Sequence, residues 1–207
     1  MSPILRIGEN MELQYEEYGF YRINKEYLQY LHNIDNQVFF KDESDYDRKP
    51  HLGLLVGIDN YTYCIPLTSA KKRHLSWQNV SEHNYVIYEI IDKEELHSND
   101  IYKQYSKEPL KFKKILSVLE IRKMIPVNKS IVTKIIFDDI EDENYRNLLL
   151  KEYRFLGSYK KAILDKALDL YSKQKETGVV KSCYVTFDKI EEAYNNYLKI
   201  LIDKQKL

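Results

Sequence analysis

His51-Leu52-Gly53-Leu54-Leu55-Val56-Gly57-Ile58, Asp59-Asn60, Tyr61-Thr62-Tyr63-Cys64-Ile65-Pro66-Leu67 is the stretch that decides the fold. Two β-prone runs flank a pair of turn-forming residues, which is the pattern of a β-hairpin. On its far side, Thr68 to Trp77 is polar and basic, a loop hung on the end of the second strand. Upstream, Phe20-Tyr21-Arg22-Ile23 reads as a short strand. Asn24 then has the character of an N-cap, and Tyr27, Leu28, Tyr30 and Leu31 give a helix from Lys25 to about Asn33. Asp42 to Pro50 is a charged loop. Downstream, Tyr85–Ile91, Ile115–Leu119 running into Met124–Val127, and Ile135–Phe137 are strand candidates.

The period then changes. Tyr145, Leu148, Leu149, Tyr153, Leu156, Tyr159, Ile163, Ala167 and Leu170 recur at three- and four-residue steps, as in a long amphipathic helix or two helices broken at Gly157-Ser158. Asp142 or Asn144 could cap it. A last helix runs from Phe187 to Leu201, with Ile190, Ala193, Tyr194 and Tyr197 on one face. Strands followed by helices, with no repeat and no low-complexity linker, make one α+β domain over 1–207. It reads as a twisted, mostly antiparallel sheet with helices packed around it. Residues 1–19 are an N-terminal extension to a core of 20–201.

The 207 residues suit one sizeable domain, and 43% hydrophobic with 31% charged residues suits a globular one. Net charge is zero, so bulk charge predicts no polyanion partner, but the charge is segregated. Lys71, Lys72, Arg73 and His74 cluster. Between Tyr102 and Lys123 seven basic residues face two acidic ones, while Asp138, Asp139, Glu141, Asp142 and Glu143 gather the acids. Nineteen tyrosines fit a polar-edged core first, and base-stacking platforms second. Cys64 and Cys183 form no paired motif, so neither a disulfide framework nor a zinc site is expected, and a reducing cytoplasm fits. No apolar run approaches the ~20 residues of a membrane span, and the N-terminus lacks a signal-peptide pattern.

No phosphate-binding glycine loop, dinucleotide fingerprint, nucleophile elbow or zinc-protease motif is present. Six glycines leave little room for one, and five histidines (His32, His51, His74, His83, His97) show no metal spacing. What remains is Thr68-Ser69-x-Lys71-x-Arg73-His74 directly after a strand. Its residue types fit RNA cleavage without a metal or other cofactor, in which the ribose 2′-OH attacks the neighbouring phosphate. A protein must then hold the phosphate, offset charge on the pentavalent intermediate and move two protons. Lys71 is a point charge for phosphate oxygens. The Thr68 and Ser69 hydroxyls can donate to them or orient the 2′-OH. His74 can shuttle a proton. Lys72 and Arg73 can hold flanking phosphates. The same residues also read as an ST-turn followed by solvated charges, with His74 a surface histidine.

The chain resembles the ToxN/AbiQ family of type III toxin–antitoxin endoribonucleases over about Phe20 to Tyr197. Pro66-Leu67-Thr68-Ser69-Ala70-Lys71-Lys72-Arg73-His74 is similar to the family pattern P-L-T-S-P-K-x-x-H, with Ala70 in place of the usual proline. Phe20–Ile23 with Tyr27, Tyr30 and Leu31 is similar to its opening strand and helix. Lys49-Pro50-His51 leads into its central hairpin. Met124-Ile125-Pro126 matches its M-I-P element. Tyr145, Leu148, Leu149, Tyr153 and Phe155 resemble its long-helix segment, and Cys183, Phe187 and Glu191–Tyr194 its closing helix.

The resemblance implies a single compact domain with a highly twisted, MazF/Kid-like sheet or partial barrel, and RNA cleavage leaving a 2′,3′-cyclic phosphate and a 5′-hydroxyl. It implies as partner a small repeat-derived pseudoknot RNA antitoxin, bound in a closed protein–RNA assembly, and a role in abortive defence against phage. By position, Thr68, Ser69, Lys71 and His74 match its active-site motif, and Tyr145 is a second contributor. Lys49, Lys72, Arg73, Lys111, Lys113, Lys114, Arg122 and Lys123 are the candidate RNA-holding residues, and no residue is expected to bind a metal. The alternative is a non-catalytic module that binds structured RNA through the same basic loop and tyrosines.

Overall fold

A computed structural model describes residues 19–40 and 52–204. Residues 1–18 of the N-terminal extension, the expected loop 42–50 with Lys49, and His51 lie outside these residues. The elements in order are β1 (Phe20–Ile23), α1 (Lys25–Ile34), β2 (Leu52–Ile58), β3 (Tyr61–Ser69), β4 (Asn84–Asp92), β5 (Ile101–Gln104), β6 (Lys111–Glu120), β7 (Ile125–Val127), β8 (Val132–Lys134), α2 (Glu143–Gly157), α3 (Lys160–Thr177) and α4 (Phe187–Lys204).

The hairpin forms as expected. β2 and β3 pair from Gly53↔Pro66 to Ile58↔Tyr61, closed by Asp59 and Asn60. Asp59 takes φ 51°, a left-handed conformation that Asp tolerates better than most residues. The two strands approach closely at Gly53, where a Cβ would land on Cys64 Sγ and within 2.8 Å of Ile65 O. All strand pairs are antiparallel, in the order β4-β6-β3-β2-β1-β8, with β5 added to β6 and β7 to β3.

β3 organises the sheet because its second edge is shared. Thr62–Cys64 pair with β7, and Leu67–Ser69 pair with β6. β6 and β7 are therefore one strand interrupted by the 3₁₀ turn Ile121–Lys123. The interruption falls opposite Ile65 and Pro66, and a proline has no N–H to give a ladder. The end of β3 is thereby carried away from β2 and into the β4–β6 half of the sheet, and the Thr68–His74 segment begins there.

Helices cover the sheet for ordinary reasons. Asn24 caps α1 (Tyr27 N–H to Asn24 Oδ1, 3.0 Å), and Asp142 rather than Asn144 caps α2 (Tyr145 N–H to Asp142 Oδ1, 3.0 Å). The long periodic segment does break at Gly157-Ser158, giving α2 and α3. α4 buries Phe187, Ile190, Ala193, Tyr194 and Tyr197, at about 1.5–3 kcal/mol for each large apolar side chain removed from water. The tyrosines mostly follow the core reading. Tyr27, Tyr63 and Tyr85 are fully buried, Tyr27 OH donates to Pro126 O (2.6 Å), and Tyr63 OH donates to Glu191.

One expected strand is displaced. Val132–Lys134, not Ile135–Phe137, pairs with β1, and Phe137 starts a 3₁₀ turn. The Asn24 N–H bond to Ile131 O (2.9 Å) and the Ile135 N–H bond to Phe20 O (2.8 Å) set that register, which frees Phe137 to pack edge-on against Phe20 and Tyr153. Among the described residues, no helix is long and apolar enough to cross a membrane. Cys64 is buried and Cys183 exposed, both as free thiols.

Candidate active site

The expected loop after β3 is ordered by a 3₁₀ turn, Lys72–Ser76. Thr68 and Ser69 are still strand residues, paired with Val118 and Ser117 of β6. Lys71 follows, exposed, as the last extended residue before the turn. His74 is only 1% exposed, so it is not a surface histidine. Its N–H donates to Lys71 O (2.8 Å), and its ring accepts from the Lys71 N–H at Nδ1 (3.1 Å). Residues 71 and 74 thus clasp each other across one turn. The ring packs on Trp77 at 4.6 Å between centroids, and Lys103 Nζ ties β5 to the turn through Leu75 O (2.6 Å).

His74 Nε2 lies 3.3 Å from Arg73 Nε. A neutral imidazole has one donor and one acceptor, so it can satisfy either the Lys71 N–H or the Arg73 N–H, and a doubly protonated ring satisfies neither. Burial, and then the neighbouring Arg73 charge, hold the His74 pKa below the usual histidine value, against an opposing pull from Glu120. The ring is therefore neutral at pH 7 and above and acts first as the acceptor that shapes the loop.

Two polar clusters flank the strand end. On one, Glu120 is fully buried, and Arg122 Nε and Nη2 donate to its Oε2 at 3.0 and 2.9 Å. Thr68 Oγ1 lies 3.5 Å from Glu120 Oε1. The Arg122 and Arg73 guanidinium groups stand 5.6 and 5.9 Å from the Trp77 ring. His83 stacks on Tyr184 nearby, its pKa lowered by burial and then by Arg122. On the other, Glu152 of α2 is 4% exposed, and burial raises its pKa to about 7. The Ser117 hydroxyl, on the register partner of Ser69, lies near enough to favour the Glu152 charge. It nevertheless makes no hydrogen bond of ordinary geometry. Tyr145, two turns before Glu152, is half-buried, and its phenol is raised to about 12 by burial and then by Glu152. Tyr145 thus feels the Glu152 charge, and Ser117, the register partner of Ser69, lies on the other side of that carboxylate.

The basic residues divide. Lys72 and Arg73 are exposed beside Lys71. Lys111 pairs with Asp92 (2.7 Å), and Lys114 with Asp100 (2.9 Å) and Glu89 (3.8 Å), so their charges are largely met within the protein. Lys113 is 4% exposed, bonds Asn79 and sits 4.2 Å over the Tyr88 ring; burial lowers its pKa to about 8. Lys123 is 6% exposed and donates to Gln37 O and Oε1, both at 2.8 Å. These two side chains are turned inward and are not available to a phosphate backbone. Glu120, Trp77, His83 and Glu152 were missed in the sequence. Only the spacing of Glu120 two residues before Arg122, and of Glu152 seven after Tyr145 on one helix face, could have flagged any of them.

The family model of the ToxN toxin of type III toxin–antitoxin systems matches residues 19–195. The chain is 24% identical over 188 residues to the endoribonuclease ToxN of Pectobacterium atrosepticum, covering 90% of this chain and 98% of that one. It is 26% identical over 187 residues to the endoribonuclease ToxN of Bacillus thuringiensis subsp. kurstaki, covering 86% and 83%. Its fold is shared with a solved type III toxin–antitoxin structure concerned with selective toxin inhibition by a non-coding RNA pseudoknot. There the TM-score is 0.65 and the identity 22%, with 86% of this chain and 96% of that one covered. It is shared also with AbiQ, a lactococcal anti-phage endoribonuclease of the type III class (TM-score 0.62, 18% identical, 87% and 98% covered). On a match that spans the whole antiparallel sheet, α1 to α3, the first half of α4 and the Thr68–His74 segment, the chain belongs to the ToxN toxin family of type III toxin–antitoxin systems.

Proposed function

We propose that the protein is a metal-independent endoribonuclease acting in the cytoplasm, with Thr68, Ser69 and Lys71 at the centre of its site. The ribose O2′ attacks the adjacent phosphorus and the P–O5′ bond breaks, giving a 2′,3′-cyclic phosphate and a 5′-hydroxyl. The 2′-OH proton goes to a base and a second proton reaches O5′. Lys71 and the partly exposed Arg122 offset charge on the phosphorane, Ser69 donates to a non-bridging oxygen, and Lys72 and Arg73 hold flanking phosphates. Tyr145 and Glu152 form the second polar group behind Ser69, and neutral His74 keeps Lys71 in place. The observation that carries this reading is the clasp of residues 71 and 74, which fixes the ammonium-bearing residue beside two strand-end hydroxyls. We also propose a small, repeat-derived pseudoknot RNA as antitoxin, held across the site in a closed protein–RNA assembly. The named relatives support both proposals.

The test is growth on induction. Ser69→Ala and Lys71→Ala should each relieve toxicity while the purified variants keep wild-type melting temperatures, because losing one phosphate-stabilising contact costs about 10²–10³ in rate. Full toxicity of both at equal expression would sink the site assignment.

A further inference from the structure

β6 ends on Glu120, and the chain leaves the sheet for one 3₁₀ turn before resuming as β7 on the same edge of β3. Within that detour a fully buried carboxylate serves two residues at once. Its Oε2 takes both the Nε and the Nη2 of Arg122 (3.0 and 2.9 Å), and its Oε1 faces the Thr68 hydroxyl (3.5 Å). The Arg122 side chain stays 17% exposed, with its guanidinium 5.6 Å from the Trp77 ring. A guanidinium has five N–H groups. Two are spent on Glu120, and the partly exposed remainder of the group can meet a phosphate outside the protein.

An arginine held in this way has lost its rotamer freedom before substrate arrives. That is the condition under which a planar, charge-dense donor grips a phosphate with least further ordering. Burying a carboxylate is costly, and a well-packed apolar pair would serve stability as well or better. Stability alone therefore gives poor reason for placing Glu120 beside Thr68, one of the residues of the family motif. The Thr68 hydroxyl has one proton. With it directed at Oε1, the hydroxyl presents lone pairs to the substrate.

We propose that Glu120 is a positioning residue for RNA cleavage. One carboxylate oxygen pins Arg122 so that its free N–H groups meet the scissile phosphate, and the other takes the Thr68 proton so that Thr68 accepts from the ribose 2′-OH. The inference rests on the endoribonuclease reading above. At 3.5 Å the Thr68 contact is long for a hydrogen bond and tightens as substrate closes the site.

The experiment compares initial rates of the full-length protein on a defined RNA for wild type, Glu120→Gln, Arg122→Ala and the double variant. Glu120→Gln keeps size and shape, so KM should hold within about threefold while kcat falls roughly 10- to 100-fold, the range typical of outer-shell partners. Glutamine keeps an oxygen for the Thr68 hydroxyl and puts an NH2 where Oε2 held Arg122, so in the Arg122→Ala background the same change should cost little, because the pinned group is already gone. A wild-type kcat for Glu120→Gln, or the same loss in both backgrounds, would overturn the proposal. If Glu120→Gln does not fold by circular dichroism, Arg122→Lys decides. Lysine keeps the charge but not the two-bond grip, so its kcat should fall as that of Arg122→Ala does, and a wild-type rate would refute it. Ser69→Ala separates the two levels of argument, since full activity there would overturn the active-site reading. Wild-type protein that leaves RNA intact would overturn both.

Discussion

Glu152→Gln should make the protein more stable at alkaline pH and leave it nearly unchanged in mild acid. Glu152 is 4% exposed, and burial raises its pKa from the ordinary glutamate value of 4.5 to about 7. A rise of that size means that folding penalises the ionised form by about 3 kcal/mol. The sign follows directly. A carboxyl whose folded pKa lies above its unfolded value costs nothing below the unfolded pKa. The stability it leaves intact there is lost as pH rises through the window from 4.5 to about 7. Glutamine keeps the shape and cannot ionise. Wild type and variant should therefore unfold alike at about pH 4, below that window, while by about pH 8 the variant gains roughly 3 kcal/mol. For a domain of this length that is a rise of about 5–10 °C in Tm. Paired urea or thermal unfolding at the two pH values cancels every other titrating group. Parallel curves, with the same difference at both, would show that Glu152 is not buried as described. If Glu152 also sets the Tyr145 phenol, the variant should lose activity as it gains stability, as residues placed for function rather than stability do.

Three other outcomes follow from the geometry. Gly53→Ala should fail to fold or melt far lower, because its Cβ would overlap Cys64 Sγ and press within 2.8 Å of Ile65 O; far-ultraviolet circular dichroism reads this directly. His74→Ala removes both the acceptor for the Lys71 N–H and the ring packed on Trp77. It should cost about 1–3 kcal/mol by denaturant unfolding and lower kcat with Lys71 intact. Lys72→Ala, at an exposed position, should keep stability within about 0.5 kcal/mol and weaken RNA binding. The slope of log affinity against log salt should then become shallower by about 0.7, as for one lost contact to single-stranded RNA.

The hairpin was legible because its two apolar runs and the Asp59-Asn60 pair are local features, and the break at Gly157-Ser158 was legible for the same reason. Both caps, Asn24 and Asp142, announce themselves within four residues of the bonds they make. What stayed hidden depends on partners far along the chain. Lys123 turns inward because Gln37, 86 residues away, offers two oxygens, and Lys113 because Tyr88 and Asn79 receive it. A run of lysines looks the same whichever of them folds in. Ile135–Phe137 carried the stronger strand composition, but β1 pairs three residues earlier because Ile131 O meets the Asn24 N–H. Thr68, Ser69 and Lys71 were visible as a motif. The clasp by His74 and the carboxylates behind the motif were not, since they arise from a 3₁₀ turn, a strand interruption and a helix face.

The central claim is tested most directly by the ends of the RNA. Purified wild-type protein incubated with RNA in excess EDTA should produce fragments carrying 5′-hydroxyl and 2′,3′-cyclic phosphate termini, and Ser69→Ala should produce none. Intact RNA, or 5′-phosphate ends that appear only when a divalent cation is restored, would contradict the account.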